Sequence, residues 1–156
     1  MTVSAKDIMT KKVISVNEDM PVSKLTELFD ENKITAAPVV GADGQLVGIV
    51  TKSDVLGHFI DLKIEVDLKN QLADLIEIQD GQDITSGSVD PDVPVGSVMT
   101  TDPITVPADM PLEKIAAVMA LKRIHKLIIR EGSEIVGIIS PMDFLFHIGG
   151  IKKDAG

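Results

Sequence analysis

One short unit occurs twice in the sequence, and this internal repeat constrains the fold more than any other feature. Residues 47–54 read VGIVTKSD, and residues 136–143 read VGIISPMD. Each copy is a β-branched apolar run interrupted by a glycine, followed by a hydroxyl residue and, three positions later, by an aspartate. The apolar run predicts a short buried strand, and the hydroxyl–acid spacing predicts the start of a helix. We therefore expect each copy to be a strand that leads directly into a helix.

The two helix starts admit two interpretations. Thr51 and Ser140 are the predicted N-caps, with Asp54 and Asp143 at the third helical position, and Pro141 fits the first helical position of the second copy. The first interpretation is a capping box alone. The second is a ligand site, because a helix N-terminus offers free N–H groups to an anion and a nearby carboxylate can accept hydrogen bonds from a ribose diol.

The segments around these units also repeat, in the same order. Residues 7–10 (DIMT) match 97–100 (SVMT), 13–16 (VISV) match 103–106 (PITV), and 19–21 (DMP) match 109–111 (DMP). The first unit predicts strands over 12–16, 36–40 and 46–50, helices over 21–32 and from 54 to 60, and a hairpin turn at 41–44. We expect Ser4 and Asp7 to cap a short preceding helix, and Pro38 to lie at a sheet edge or a strand start.

A duplicated β-α-β-β-α unit predicts a particular architecture. Each half is too small for a good core alone, so we expect an α+β (α/β) fold of two repeats packed about a pseudo-twofold axis. The repeats are predicted over residues 1–60 and 95–150, with a C-terminal tail over 151–156. Residues 61–94 hold nine acids and two lysines and form an acidic linker, partly helical over 62–78. That segment is a solvated linker or, alternatively, a segment that docks a partner.

Composition excludes several classes of function. The chain has no cysteine, which excludes disulfides and thiolate metal sites, and its net charge of −9 argues against nucleic-acid binding. No apolar run reaches the length of a membrane span, so we expect a cytoplasmic protein without membrane association. The sequence shows no nucleophile–base pair, Gly-rich phosphate loop or metal-ligand cluster, which indicates that the protein is not an enzyme. His58 and His147 are predicted to lie on helix surfaces rather than to bind a metal.

The order of these motifs resembles the cystathionine-β-synthase (CBS) domain. The matching pattern is Met-Thr, a strand, Asp-Met-Pro, a helix, a second strand, a turn, and then Gly-Ile-Val/Ile-Thr/Ser-x-x-Asp, and it occurs twice. Two such domains in tandem resemble a Bateman module, and the resemblance covers both repeats. It implies regulatory binding of adenosine compounds, namely AMP, ADP, ATP or S-adenosylmethionine, in two clefts between the repeats, with no cofactor required.

The resemblance also implies which residues serve each cleft. The first cleft would use the ribose and phosphate contacts Asp143 and Ser140 of the second repeat together with Thr10, Ile14, Ile34 and Thr35 of the first. The second cleft would use Asp54 and Thr51 with Thr100, Ile104, Ile124 and His125. The isoleucines would flank the purine.

The two clefts are predicted to be unequal. His125 and Lys126 lie where the family often places phosphate contacts, whereas the first repeat has Thr35 and Ala36 at the same places. We expect the cleft with Asp143 to bind more tightly, because His125 and Lys126 would join it across the strand. The alternative is that both are ordinary surface residues.

Two functional hypotheses follow from the resemblance. The first is a module that senses an adenosine ligand and acts on a separate, unidentified regulated protein. The second is a structural dimerisation module whose clefts bind nothing. Modules of this family usually pair, so a homodimer is expected through the helices that begin near Asp54 and Asp143. Their apolar or small residues are Gly57, Phe59, Phe144, Leu145 and Ile148.

Overall fold

The computed structural model describes residues 2–75 and 92–153, without the side chains of 72–75. Thirteen elements follow in chain order. They are α1 (Ala5–Ile8), β1 (Val16–Asn17), α2 (Val22–Asn32), β2 (Ala36–Val40), β3 (Leu46–Thr51), α3 (Lys52–Leu75), a 3-10 helix (Val95–Ser97), β4 (Thr100–Thr101), β5 (Thr105–Pro107), α4 (Leu112–Lys122), β6 (Leu127–Glu131), β7 (Glu134–Ile139) and α5 (Pro141–Ile148). The β-α-β-β-α order predicted for each repeat is confirmed.

The strands form two sheets, one for each repeat. The first has the order β1-β2-β3-β4 and the second β5-β6-β7. Within each sheet a parallel pair, β1 with β2 or β5 with β6, adjoins an antiparallel hairpin, β2 with β3 or β6 with β7. The first hairpin closes through Gly44, whose φ of 78° is a conformation that glycine adopts readily. The predicted turn at 41–44 is therefore confirmed.

The lead-in of each repeat crosses to the sheet of the other repeat. Strand β4, which precedes the second repeat's own sheet, pairs with β3 of the first, with Thr100 opposite Ile49. Correspondingly, Thr10 pairs with Ile138 of β7, and the two residues exchange N–H···O bonds of 2.9 and 3.0 Å. These two crossings occupy equivalent positions in the repeats, as the expected pseudo-twofold arrangement requires.

The same exchange builds the two apolar cores. Ala5 and Ile8 of α1 are buried in the core of the second repeat, and Val95 is buried in the core of the first. The predicted cap of α1 is confirmed, since the backbone N–H of Ser4 donates to the Asp7 carboxylate at 2.8 Å. Each core is thus completed by a segment of the opposite repeat, which explains why neither half is expected to be stable alone.

The glycine of each repeated unit, Gly48 or Gly137, is covered by a methionine of the opposite repeat. A Cβ added at Gly48 would lie 2.5 Å from Sδ of Met99 and 2.7 Å from the carbonyl oxygen of Thr100. A Cβ added at Gly137 would come similarly close to the Met9 side chain. The glycine of the repeated unit is therefore required by the close approach of the crossing lead-in.

The first strand of each repeat is shorter and later than predicted. The expected strand at 12–16 is instead β1, Val16–Asn17, and the expected strand at 103–106 is β5, Thr105–Pro107. Residues 11–15 form no strand and pass beside a cavity between the repeats. A local β-forming sequence does not show that the chain leaves the sheet at this point.

One further expectation was wrong. Pro38 is the third residue of β2, which has β1 on one side and β3 on the other, rather than lying at an edge or a strand start. Strand β1 pairs only with Val39 and Val40, so the ladder on that side begins after the proline.

The predicted helix over 54–60 and the helical part of the linker are one element. Helix α3 runs from Lys52 to Leu75 without interruption, and the last predicted helical residues, 76–78, fall outside the described part of the chain. Within the described ranges, no helix is both long and apolar enough to cross a membrane.

Candidate functional site

A cavity of about 610 Å³ lies between the two repeats. The first repeat contributes the crossing lead-in and the segment between α2 and β2, and the second contributes the end of β7 and the start of α5. Its lining residues are Thr10, Lys12, Val13, Ile14, Glu31, Asn32, Lys33, Ile34, Thr35, Ala36, Lys126, Ile138, Ser140 and Asp143. We call this cavity the Asp143 cleft. All six residues expected there, Thr10, Ile14, Ile34, Thr35, Ser140 and Asp143, are brought together, and Lys126 joins them.

Asp143 is held at the start of α5 by the predicted capping box. One carboxylate oxygen, Oδ2, accepts hydrogen bonds from the backbone N–H of Ser140 and from its hydroxyl, the latter at 3.1 Å. The carboxylate is almost fully buried, with 8% of the side chain exposed, and its second oxygen, Oδ1, forms an ion pair with Lys153. Local sequence thus fixes the position of the acid at the cleft wall.

Lys126 supplies a half-buried positive charge to the cleft. Burial lowers the pKa of Lys126 below its usual value, the nearby Asp143 carboxylate opposes that shift, and the Lys153 ammonium adds to it. Removing a cation from water is unfavourable, so an anion bound beside Lys126 would compensate part of this cost. The residue is therefore suited to contact a negatively charged group of a ligand.

His125 lies outside the Asp143 cleft, although we expected it beside Lys126. It lines a separate, more apolar cavity of about 620 Å³ between α4 and α5, together with Ile124. That cavity is otherwise lined by Ala116, Met119, Ala120, Arg123, Pro141 and Phe144. Lys126 directly precedes β6, and side chains along a strand alternate between its two faces, so two neighbours here need not reach the same cavity.

The residues expected in the second cleft have the following positions. Thr51 and Asp54 repeat the capping geometry at the start of α3, with the Thr51 N–H and hydroxyl donating to Asp54 Oδ2 at 2.8 and 3.0 Å. Thr100 lies in β4, opposite Ile49, and the Ile104 side chain is 37% exposed. Ile124 and His125 face the α4–α5 cavity described above.

Three lysines at or beside the Asp143 cleft were not predicted from the sequence. Lys12 and Lys33 line the cavity, and Lys33 has a φ of 55°, a left-handed conformation that is uncommon outside glycine and recurs at the equivalent Arg123. Lys153 reaches Asp143 from the C-terminal tail. The first repeat has no counterpart of that tail, so the repeat pattern carries no signal for Lys153.

Within the described ranges, no three His, Asp or Glu side chains cluster so that they could hold a metal ion. His58 and His147 lie on α3 and α5, near the carboxylates at the helix starts, and His58 contacts the Phe59 ring at a centroid distance of 5.7 Å. The polar groups that line the Asp143 cleft are two carboxylates, of Glu31 and Asp143, the Asn32 amide, hydroxyls and lysines. This set can bind a ligand bearing both hydroxyl and anionic groups.

Comparison with known proteins places the chain among characterised folds. The sequence model of the CBS domain matches residues 5–61 and 95–150. An uncharacterized protein of Methanocaldococcus jannaschii is 31% identical over 150 residues, which cover 90% of this chain and 88% of the relative. The chain spans only 32% of a second, 29% identical protein of that organism.

Solved structures share the whole fold. The CBS domain pair of protein MJ0100, in complex with 5′-methylthioadenosine and S-adenosylmethionine, superimposes with a TM-score of 0.73 at 20% identity, covering 96% of this chain and 98% of that one. CBSX2 in complex with AMP gives a TM-score of 0.68 at 22% identity, with coverage of 96% and 98%. With the family model matching both repeats, these likenesses support one conclusion: the chain belongs to the CBS domain family, as a tandem CBS domain pair.

Proposed function

We propose that this CBS domain pair is a regulatory module that binds an adenosine compound in the Asp143 cleft. The observation that carries the proposal is the convergence of residues from both repeats on one cavity of about 610 Å³. That volume falls within the roughly 300–1,000 Å³ typical of small-molecule sites. The ligand class we infer comprises AMP, ADP, ATP and S-adenosylmethionine.

The chemistry of the lining residues supports a division of roles. The Asp143 carboxylate is fixed by its capping bonds and can accept hydrogen bonds from a ribose diol. Ile14 and Ile34 are partly buried and provide apolar surface for a purine ring. Ser140 and Lys126 are the polar and cationic groups available to a phosphate or carboxylate, and hydrogen bonds that involve a charge are the stronger ones.

The solved relatives support the ligand class without identifying the ligand. One was solved with two adenosine derivatives and another with AMP, but both are under 25% identical to this chain. The ligand class of this chain is therefore inferred from the family resemblance together with the groups that line the cleft. We also propose that ligand binding in this module is passed on to a regulated protein.

A structural dimerisation module is the second candidate function. It is favoured by the exposed apolar side chains on α3 and α5, which include Leu56, Ile60, Leu145 and Ile148 with exposed fractions of 50% to 79%. Apolar faces of this kind commonly mark contact surfaces. In that case the clefts would bind nothing, and the two candidates differ in a measurable way.

Calorimetry with AMP, ADP, ATP and S-adenosylmethionine tests the proposal on matched variants. We expect the wild type to bind at least one of them, and Asp143→Ala to weaken that binding about tenfold or more, which corresponds to about 1.4 kcal/mol. Asp54→Ala, which removes the equivalent carboxylate of the first repeat, should weaken it less. Circular dichroism must first show both variants folded, because loss of a capping acid itself costs about 1 kcal/mol.

Two results would count against this assignment. If none of the four compounds produces heat, the dimerisation module is the better description. A larger loss for Asp54→Ala than for Asp143→Ala would move the main site to the other repeat.

A further inference from the structure

The C-terminal tail folds back onto the Asp143 cleft. After α5 the chain reverses at Gly150, whose φ is 63°, and the N–H of Ile151 donates to the carbonyl of Phe146 at 2.9 Å. This reversal directs Lys153 to the end of α1. Its ammonium donates to the carbonyl of Ile8 at 2.7 Å and to the Thr10 hydroxyl at 3.2 Å, and it forms the ion pair with Asp143.

The contact with Lys153 involves the carboxylate oxygen that a ligand would need. Oδ2 of Asp143 already accepts two hydrogen bonds from Ser140, and a carboxylate oxygen has two lone pairs. Capacity for a diol therefore remains at Oδ1, and Lys153 is paired with that atom. The ammonium also bonds Thr10, a second lining residue of the cleft, so one cation holds two groups of the proposed site.

The position of Lys153 allows another group to replace it at Asp143. Asp143 lines the cleft between the repeats and also a second cavity of about 380 Å³ beside the tail, to which Lys153 belongs. The Lys153 side chain is 30% exposed, against 8% for Asp143. The lysine can thus move into water while the acid stays capped on α5.

The first repeat has the same acid without this contact. Asp54 has the capping bonds from Thr51, and within the described ranges no lysine, arginine or histidine forms an ion pair with it. There the chain continues as α3 to Leu75 instead of turning back after two turns. The ion pair is therefore specific to the second repeat and is not part of the helix start itself.

We propose that Lys153 competes with the ligand for Asp143. Lys153 pairs with the Asp143 carboxylate until an adenosine ligand displaces it and releases the tail. The inference rests on the proposed function, because the displacing group is the ribose diol at Asp143. Ligand binding would then alter the position of residues 149–153, a change at the surface that a regulated protein could detect. Until displacement, the competition lowers the apparent affinity of the cleft.

Calorimetry of Lys153→Ala tests the competition, with Lys152→Ala as the matched control on the same exposed tail. AMP and S-adenosylmethionine are the probes because their charges are opposite. Removal of a competitor should tighten the binding of both probes by about threefold or more, since apparent affinity falls with the fraction of molecules whose site is free to bind. Loss of a positive charge alone would weaken the binding of AMP and tighten the binding of S-adenosylmethionine. Lys152→Ala should show only this small charge effect.

Each remaining outcome decides between the two proposals. If the wild type binds and Lys153→Ala binds equally or more weakly, competition is wrong and the proposed function stands. If neither protein binds AMP, ADP, ATP or S-adenosylmethionine, both proposals fail. Hydrogen exchange gives an independent measure in the wild type: saturating ligand should accelerate exchange of the Gly150 and Ile151 amides, and unchanged or slower exchange would overturn release of the tail.

Discussion

At the scale of single residues, Gly48 and Gly137 determine how closely the two repeats can approach. Each lies in the strand that precedes a site helix, and each is covered by a methionine from the other repeat. Both glycines are buried. Met9 and Met99, which cover these glycines, therefore anchor the two lead-ins. Met9 directly precedes Thr10 and so helps to place Thr10 at the Asp143 cleft.

We predict that alanine at either glycine destabilises the protein by about 1–3 kcal/mol, the usual range for overpacking a core. Gly48→Ala should be the more costly, because its added methyl group also meets the backbone oxygen of Thr100. Gly57→Ala is the control: it lies in α3 with no atom within 4 Å of the added Cβ, and should be neutral or stabilising. Denaturant unfolding measures all three, and an unchanged midpoint for Gly48→Ala and Gly137→Ala would contradict the packing described.

Local sequence predicted some site residues and not others. The Ser140–Asp143 pair was predictable because a capping box depends on residues three apart. Lys126 was expected near Asp143 and lies in the cleft, whereas His125 faces the α4–α5 cavity. Lys153 was not predictable, because its contact with Asp143 depends on a reversal after α5 and on nothing in the repeated unit.

At the scale of elements, hairpins were predicted better than the strands beside them. The strand expected at 36–40 matches β2, and the one expected at 46–50 differs from β3 only at its last residue. Hairpin strands are specified by an apolar pattern and a local turn. Strands β1 and β5 pair in parallel with distant residues, so their bounds depend on tertiary contacts that a sequence window does not contain.

Helix α3 illustrates a second limit of local patterns. Its first residues carry a repeat signature and the following ones resemble a linker, so two segments were predicted where the chain forms one helix of 24 residues. The distal part exposes Ile64, Val66 and Leu68. A helix can continue past the end of a domain repeat as long as no breaker interrupts it, and residues 52–75 contain no proline.

At the scale of the whole molecule, the crossing lead-ins were not predicted. Residues 1–9 and 95–100 belong to their own repeats by sequence, and in the fold they complete the core and sheet of the opposite repeat. Exchange of this kind is a long-range property, because equivalent segments have the same local sequence whichever repeat they join. It explains why the cleft draws Thr10 from one repeat and Asp143 from the other.

Association of two copies remains a prediction, and the structure shows which of the residues expected at the contact are exposed. Phe59, Leu145 and Ile148 are exposed on α3 and α5, whereas Phe144, which we also expected at the contact, packs partly against the core of the second repeat. We expect the wild type to sediment as a dimer. The double variant Leu145→Glu/Ile148→Glu should sediment as a monomer, because burying a glutamate charge in the contact without an opposite charge beside it is unfavourable.

Ser133→Glu, in the exposed turn between β6 and β7, is the control for that experiment and should leave the mass unchanged. A wild-type monomer whose mass does not change with concentration would contradict the dimer. A double variant that remains dimeric would instead place the contact on another surface.

The measurement that tests the central claim most directly locates the ligand by NMR of isoleucine methyl groups. Ile14 and Ile34 line the Asp143 cleft, whereas Ile104 and Ile124 do not. An aromatic purine shifts the resonances of methyl groups packed against its faces. With saturating AMP, ADP, ATP or S-adenosylmethionine we expect the methyl signals of Ile14 and Ile34 to move and those of Ile104 and Ile124 to move little. Shifts confined to Ile104 and Ile124, or no shift with any of the four compounds, would contradict the assignment of the Asp143 cleft as the binding site.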